Sequence, residues 1–398
     1  MIARAYPSDI LGCNVTPRAR TIRGFTAALA AVAYSACSAG TGCGSEPANE
    51  QATPARDAAP GLDARPTLDG APLPDAGSPR DAASPEDGAP PSDGALPPAP
   101  DLSHTLDPIT IDGGTEINGA CQSWTLNNDT ELFVNKVVAT NDGGLHHSNW
   151  IWVPDTSYTG PDGTWPCAER GFEQILAAAG GGVFFAQSTQ AKSDTQAFPP
   201  GVAFKLPPHV RIIGDVHLLN PSNSQISTRV HFDVYTIPKD TVKVELQPMA
   251  FTNTSLEIAP ASETHARMQC AMPQPDFDVY YVLPHFHDLG AAMQIDVVGG
   301  AMDKTPIFRS SGSRGEGRGQ TFDPPVNVRG AGSLAITCEY QNPRTSVVRY
   351  GVGDQEMCVA LLYSNGKKAG GTTLGNFSAT EVGGVHYTDA LCLAVGSP

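Results

Sequence analysis

The stretch His209-Val-Arg-Ile-Ile-Gly-Asp-Val-His-Leu-Leu219 decides the fold class. It is a short run dominated by Val, Ile and Leu, and it is one of many. Similar runs, rich in Val, Ile, Phe, Tyr and Thr, cover Leu132–Val138, His147–Val153, Gly182–Gln187, Thr228–Ile237 and Val242–Leu246. They continue with Asp276–Leu283, Met293–Val298, Leu334–Tyr340, Ser346–Tyr350 and Met357–Tyr363. Gly- and Pro-rich turn clusters separate them. Many short strands at regular spacing predict an all-β chain of packed β-sandwiches. Only Cys167–Ala179 has helical character. One strand-rich block closes and another opens around Pro238-Lys239-Asp240, which predicts two β-domains, 106–239 and 240–398.

The N-terminal hundred residues read differently. Arg18, Arg20 and Arg23 precede an apolar, small-residue run from Gly24 to Ala36, too short to span a bilayer but suited to a signal h-region. Residues 1–43 are therefore expected to be an export segment. Tyr34-Ser-Ala-Cys37 resembles a bacterial lipobox with Tyr34 in place of the usual Leu or Val, and Cys43 is the second candidate for lipidation. Translation is expected to begin near Val15, since Cys13 and its neighbours do not suit a signal. Residues 44–105 form a linker of Ala, Pro, Asp, Gly and Ser. Such a segment buries too little apolar surface to offset its ordering entropy, and it predicts a semi-extended tether.

The net charge of −16 excludes a nucleic-acid binder, which needs a basic surface for phosphates. About half of that charge lies in Glu46–Asp101, so it is no field around an active site. Of nine cysteines, six (Cys121, Cys167, Cys270, Cys338, Cys358 and Cys392) fall in the strand-rich part, without a Cys-x-x-Cys pair. That predicts disulfides formed in an oxidising compartment, with fifteen connectivities open.

Four elements of metal-ligand type follow one another. They are His146-His147 in Gly144-Leu-His-His-Ser-Asn-Trp150, His217, His285-Phe-His287, and Met357 in Asp354-Gln-Glu-Met-Cys358. Together they offer two three-ligand sets of imidazole and thioether, a choice that suits copper in both oxidation states. On a strand His285 and His287 share a face. His146 and His147 point to opposite faces unless a bulge or turn intervenes, which Gly143-Gly144 permits. Each piece also has an ordinary reading: a satisfied or surface His pair, or a core Met filling a gap. His104, His209, His231, His265 and His386 are taken in that sense. A zinc hydrolase would want an arrangement such as His-Glu-x-x-His, which the chain lacks.

The order His-His, Val-His on a strand, His-x-His and Glu-Met-Cys resembles the copper type II, ascorbate-dependent monooxygenases. That is the family of peptidylglycine alpha-hydroxylating monooxygenase and dopamine beta-monooxygenase. Phe198-Pro-Pro-Gly-Val-Ala-Phe204 before Gly214-Asp-Val-His217 resembles the family's Pro-x-Gly-Val-Gly-Phe and Val-His sequence. His285-Phe-His-Asp-Leu-Gly290 resembles its His-Thr-His-x-Leu-Gly element, and Asp354-Gln-Glu-Met-Cys358 its Asp-Glu-Met-Cys element. The resemblance spans roughly Leu106 to Leu393.

The resemblance implies two jelly-roll β-sandwich domains, each with one copper, facing each other across a solvent-filled cleft. His146, His147 and His217 would hold the electron-supplying copper. His285, His287 and Met357 would hold the copper where O2 binds and a substrate C–H bond is hydroxylated. Ascorbate, or another one-electron reductant, would be the co-substrate. The implied disulfides are Cys121 with Cys167, Cys338 with Cys358, and Cys270 with Cys392. The peptide-amidating branch has an Arg two residues before His-x-His, where this chain has Leu283. It also has an Asn and a Tyr after the Met, where this chain has Val359 and Leu361. A peptidylglycine substrate is thereby disfavoured, and the apolar replacements suggest a less polar small molecule.

The functional expectation is an exported copper monooxygenase, periplasmic or at the cell surface, reaching the membrane only through a lipid anchor at Cys37 or Cys43. Its partners would be a small-molecule substrate, O2 and a reductant, with no nucleic acid. The alternatives are a non-catalytic copper-binding lipoprotein and a surface binding module on the same scaffold.

Overall fold

A computed structural model describes residues 98–311, 317–351 and 353–396, so the expected export segment and most of the linker lie outside the described residues. The described chain is all-β, with one short α-helix, Gln174–Gly180, and three 3₁₀ turns. The helical expectation at Cys167–Ala179 resolves into a 3₁₀ turn, Cys167–Arg170, followed by that helix. Folded structure begins earlier than the linker boundary at 105. Leu102–Thr105 is a strand paired antiparallel with Val230–Thr236, and Leu102 packs on the first core.

Two hydrophobic cores organise the described residues. The first lies beside an antiparallel five-stranded sheet ordered Gly163–Pro166, Thr115–Thr125, Val210–Asn220, Leu145–Pro154 and Gly182–Gln187. Its central strand, Val210–Asn220, is buried along nearly its whole length, as the continuous apolar run around Ile212-Ile213 requires. Gly214 stands opposite Trp150 on the next strand, and the indole occupies the room a side chain would need. A Cβ at 214 would fall 2.4 Å from Trp150 Cε3.

The strand Val244–Thr252 joins the two halves, just after the 3₁₀ turn Lys239–Thr241. Its first residues pair parallel with Val202–Leu206, and its later ones pair with Val359–Ser364 and Ala369–Val382. The second core lies among these and the strands Ser262–Ala271, Phe277–His285, Gly290–Val298 and Ser333–Asn342. The cores meet closely: Tyr280, Tyr281, Leu283, Leu361 and Tyr363 come from the second half of the sequence but pack into the first core. Tyr363 donates its hydroxyl to the Val183 carbonyl at 2.8 Å, a fully buried link between the halves.

Three disulfides join Cys121 to Cys167, Cys270 to Cys392 and Cys338 to Cys358, the pairing the resemblance implies. Three such bonds speak for folding outside the cytoplasm. Among the described residues no helix is long and apolar enough to cross a membrane.

Candidate metal centre

The strand Leu145–Pro154 carries His146 and His147 alongside Val210–Asn220. His147 pairs with His217, but the next pair is Leu145 with Leu218, which leaves His146 as the extra residue of a β-bulge. The bulge is what lets two adjacent histidines serve one site. A second irregularity lies on the other side of His217. Val216 pairs with Ala120 and Leu218 with Ile117, so Asn118 and Gly119 stand against His217, with Gly119 at φ 72°. Positive φ favours glycine, and a bulge there is its ordinary use.

His285 ends the strand Phe277–His285, and His287 lies in the turn after it, so their shared approach comes from the strand end and turn together. Met357 precedes the strand Val359–Ser364 rather than belonging to it. Glu356 fixes this region. Its carboxylate, 1 % exposed, accepts backbone N–H groups from His287 at 2.8 Å and Leu289 at 2.7 Å, and a longer one from Met357 at 3.3 Å. Burial pushes its pKa up to about 7 against the lowering effect of those donors. One side chain thus ties the His-x-His turn to the Met357 segment, whose other fixings are the Cys338–Cys358 bond and the Tyr340 hydroxyl on the Met357 carbonyl at 2.6 Å.

The two histidine sets meet. His146, His147 and His217 form one group, and His147, His285 and His287 form another; within each group the candidate ligand atoms all lie within 4.8 Å of one another. His147 belongs to both. Its ring centroid is 4.8 Å from that of His285 and 5.1 Å from that of His287. The solvent-filled separation implied by the family resemblance is therefore absent between these rings, because the two cores pack directly on each other. Leu283 and Leu361, which stand where the peptide-amidating branch has an Arg and a Tyr, are only 2 % and 6 % exposed and pack into the first core.

Hydrogen bonds orient the rings from outside the cluster. His287 Nδ1 bonds the Gln355 carbonyl at 2.9 Å. A carbonyl only accepts, so this ring carries its proton on Nδ1 and presents a bare Nε2. His217 Nε2 bonds the Glu116 carboxylate, which Asn118 also holds at 2.8 Å, and its Nδ1 faces His147 Nε2 at 2.7 Å. His285 Nδ1 bonds Ser188 Oγ at 2.7 Å. Three ring nitrogens, His146 Nδ1, His285 Nε2 and His287 Nε2, are buried without a hydrogen-bond partner. Buried polar atoms are normally satisfied, so three orphans in one cluster call for a ligand. Burial lowers the pKa of all five histidines, most strongly His147 and His285, which keeps them neutral with lone pairs available. The donor set fits a copper ion better than a hard cation, which prefers oxygen ligands.

The remaining histidines lie elsewhere. His104 stacks on Trp124, and His231 bonds Ser103, Thr105 and Asp233. His209, His265 and His386 sit beside Asp155, Glu263 and Glu381. Glu116 and Ser188 are site residues that no spacing in the sequence singles out, while Glu356 stands in the Glu-Met-Cys element without its anchoring role being readable there.

No protein-family model and no curated protein matches the chain. Solved structures that align with it include the major capsid protein of bacteriophage PM2, at 9% identity and TM-score 0.29, covering 66% of this chain and 97% of that one. PBCV-1 VP54, fitted into a cryo-EM reconstruction of the virophage Sputnik, aligns at 7% identity and TM-score 0.23, covering 69% of this chain and 95% of that one. Cowpea mosaic virus empty particles align at 11% identity and TM-score 0.27, covering 65% and 89%.

Proposed function

We propose that this chain is an exported copper-dependent monooxygenase that hydroxylates a C–H bond of a small molecule. The reaction balances as R–H + O2 + two electrons + two protons giving R–OH + H2O, the electrons coming singly from ascorbate or a reductant of that kind. The observation that carries the reading is the convergence of five neutral histidines, four of them buried and His146 partly so, with three buried ring nitrogens that have no hydrogen-bond partner. His146, His147 and His217 would hold one copper; His285, His287 and Met357 would hold the other. Bound copper supplies one-electron redox chemistry toward O2.

The chain's own contribution is orientation and dryness. Glu116, Ser188 and the Gln355 carbonyl fix three rings from outside, the arrangement that raises ligand basicity in metal sites. Burial keeps protons off nitrogens that would otherwise compete for the metal. A lipid anchor at Cys37 or Cys43 would tether the enzyme at the cell surface through the Ala/Pro/Asp-rich segment.

The test is isotopic. The copper-loaded chain, ascorbate and ¹⁸O2 are incubated with small-molecule extracts. One ¹⁸O atom in an organic product, absent with Met357→Ala, is expected. Oxygen consumption that yields only peroxide would favour the second reading, a non-catalytic copper-binding lipoprotein, which the same donor set also supports.

A further inference from the structure

Ser188 and His285 come from different halves of the sequence, yet their side chains are joined at 2.7 Å in a place closed to solvent, the residues being 4 % and 7 % exposed. Ser188 directly follows the strand Gly182–Gln187 of the five-stranded sheet. Its loop is pinned by Gln187 Nε2, which donates to the carbonyls of Thr189 at 3.0 Å and Ala191 at 2.7 Å. Gly317 closes over the contact. A Cβ at 317 would fall 2.0 Å from the Pro284 carbonyl oxygen and 3.1 Å from Ser188 Oγ, so only glycine lets the backbone pass this close. The opposite nitrogen of the same ring, His285 Nε2, is buried and has no partner.

The hydroxyl can act in either sense. If Ser188 donates to Nδ1, a buried N–H is left on Nε2 without an acceptor. If it accepts from Nδ1–H, Nε2 is left with a bare lone pair. The second arrangement gives a metal ligand, and it matches His287, whose Nδ1 proton is fixed by a carbonyl.

We propose that Ser188 is a positioning residue that sets the tautomer and direction of His285 from across the junction of the two cores. The second ligand set is then complete only when the halves are docked as they are here. This goes beyond assigning ligands, and its copper arm rests on the metal reading above.

Two measurements test it, each on the whole exported chain. Long-range ¹H–¹⁵N NMR of the metal-free wild type should find His285 as the Nδ1–H tautomer; finding the proton on Nε2 overturns the proposal. Copper(I) competition titration of Ser188→Ala should show the His285 site about 10–100-fold weaker and the His146–His147–His217 site unchanged. On a His285→Ala background the same substitution should change nothing further, since it acts through that ring. Equal weakening of both sites, or of neither, overturns it. A wild-type chain that takes up no copper would sink the metal reading instead, and the NMR result would still decide whether Ser188 sets the ring.

Discussion

His147 stacks on His287, centroids 5.1 Å apart and planes inclined by 25°, so a histidine of the first core touches one of the second. A ring that belongs to both ligand groups should matter to both. His147→Ala is expected to weaken both copper sites, whereas His146→Ala should weaken one. Competition titration of each variant separates the two. Loss confined to one site in His147→Ala would mean the ring serves a single ion.

Met357→Ala should abolish hydroxylation and leave one copper on His146, His147 and His217. Copper counting beside product analysis reads both effects. Full activity in this variant would remove Met357 from the oxygen site.

Glu116 holds His217 from outside the cluster through a charge-assisted bond. Glu116→Gln keeps the shape and removes the charge. The first copper site is expected to weaken by about 10–100-fold while the second holds. Unchanged affinity would reduce Glu116 to a surface contact of His217.

The five cluster histidines have folded-state pKa values lowered by burial, while in the unfolded chain each titrates near about 6.5. Below that pH the unfolded chain binds protons that the folded chain does not. Their contribution is therefore fully present above pH about 6.5 and declines as pH falls toward the depressed values, by up to about 1.4 kcal/mol per pH unit for each ring. Denaturant unfolding of the metal-free chain from pH 7.5 to 5 should show this loss. Replacing His285 by Gln should flatten the slope; an unchanged slope would contradict the burial argument.

The fold class was legible because short β-branched runs between Gly and Pro turns have few other solutions, and runs such as Gly182–Gln187 became strands at their expected limits. Strands with polar composition escaped. Thr115–Thr125, with Glu116, Asn118 and Gly119, lacks the apolar pattern because part of it is bulged and half-exposed, and Glu116 was missed with it. The hairpin of Ala369–Val382 and Val385–Gly396 was also missed. Its signal was present: Gly383-Gly384, both at positive φ, is a two-residue turn between Val382 and Val385. The histidines were found by type and spacing, and the bulge that gathers His146 with His147 follows from their adjacency. Ser188 was out of reach, since nothing local links it to a ring 97 positions away. The closeness of the two sets depends on how the cores dock, which no local pattern encodes.

The most direct measurement is metal content. The chain, produced with its disulfides intact, is loaded with copper, dialysed, and analysed for copper and zinc. Two coppers per chain and no retained zinc are predicted, falling to one in Met357→Ala. A chain that retains no copper would contradict the metal centre and leave the five histidines as a largely buried polar cluster of the β-fold.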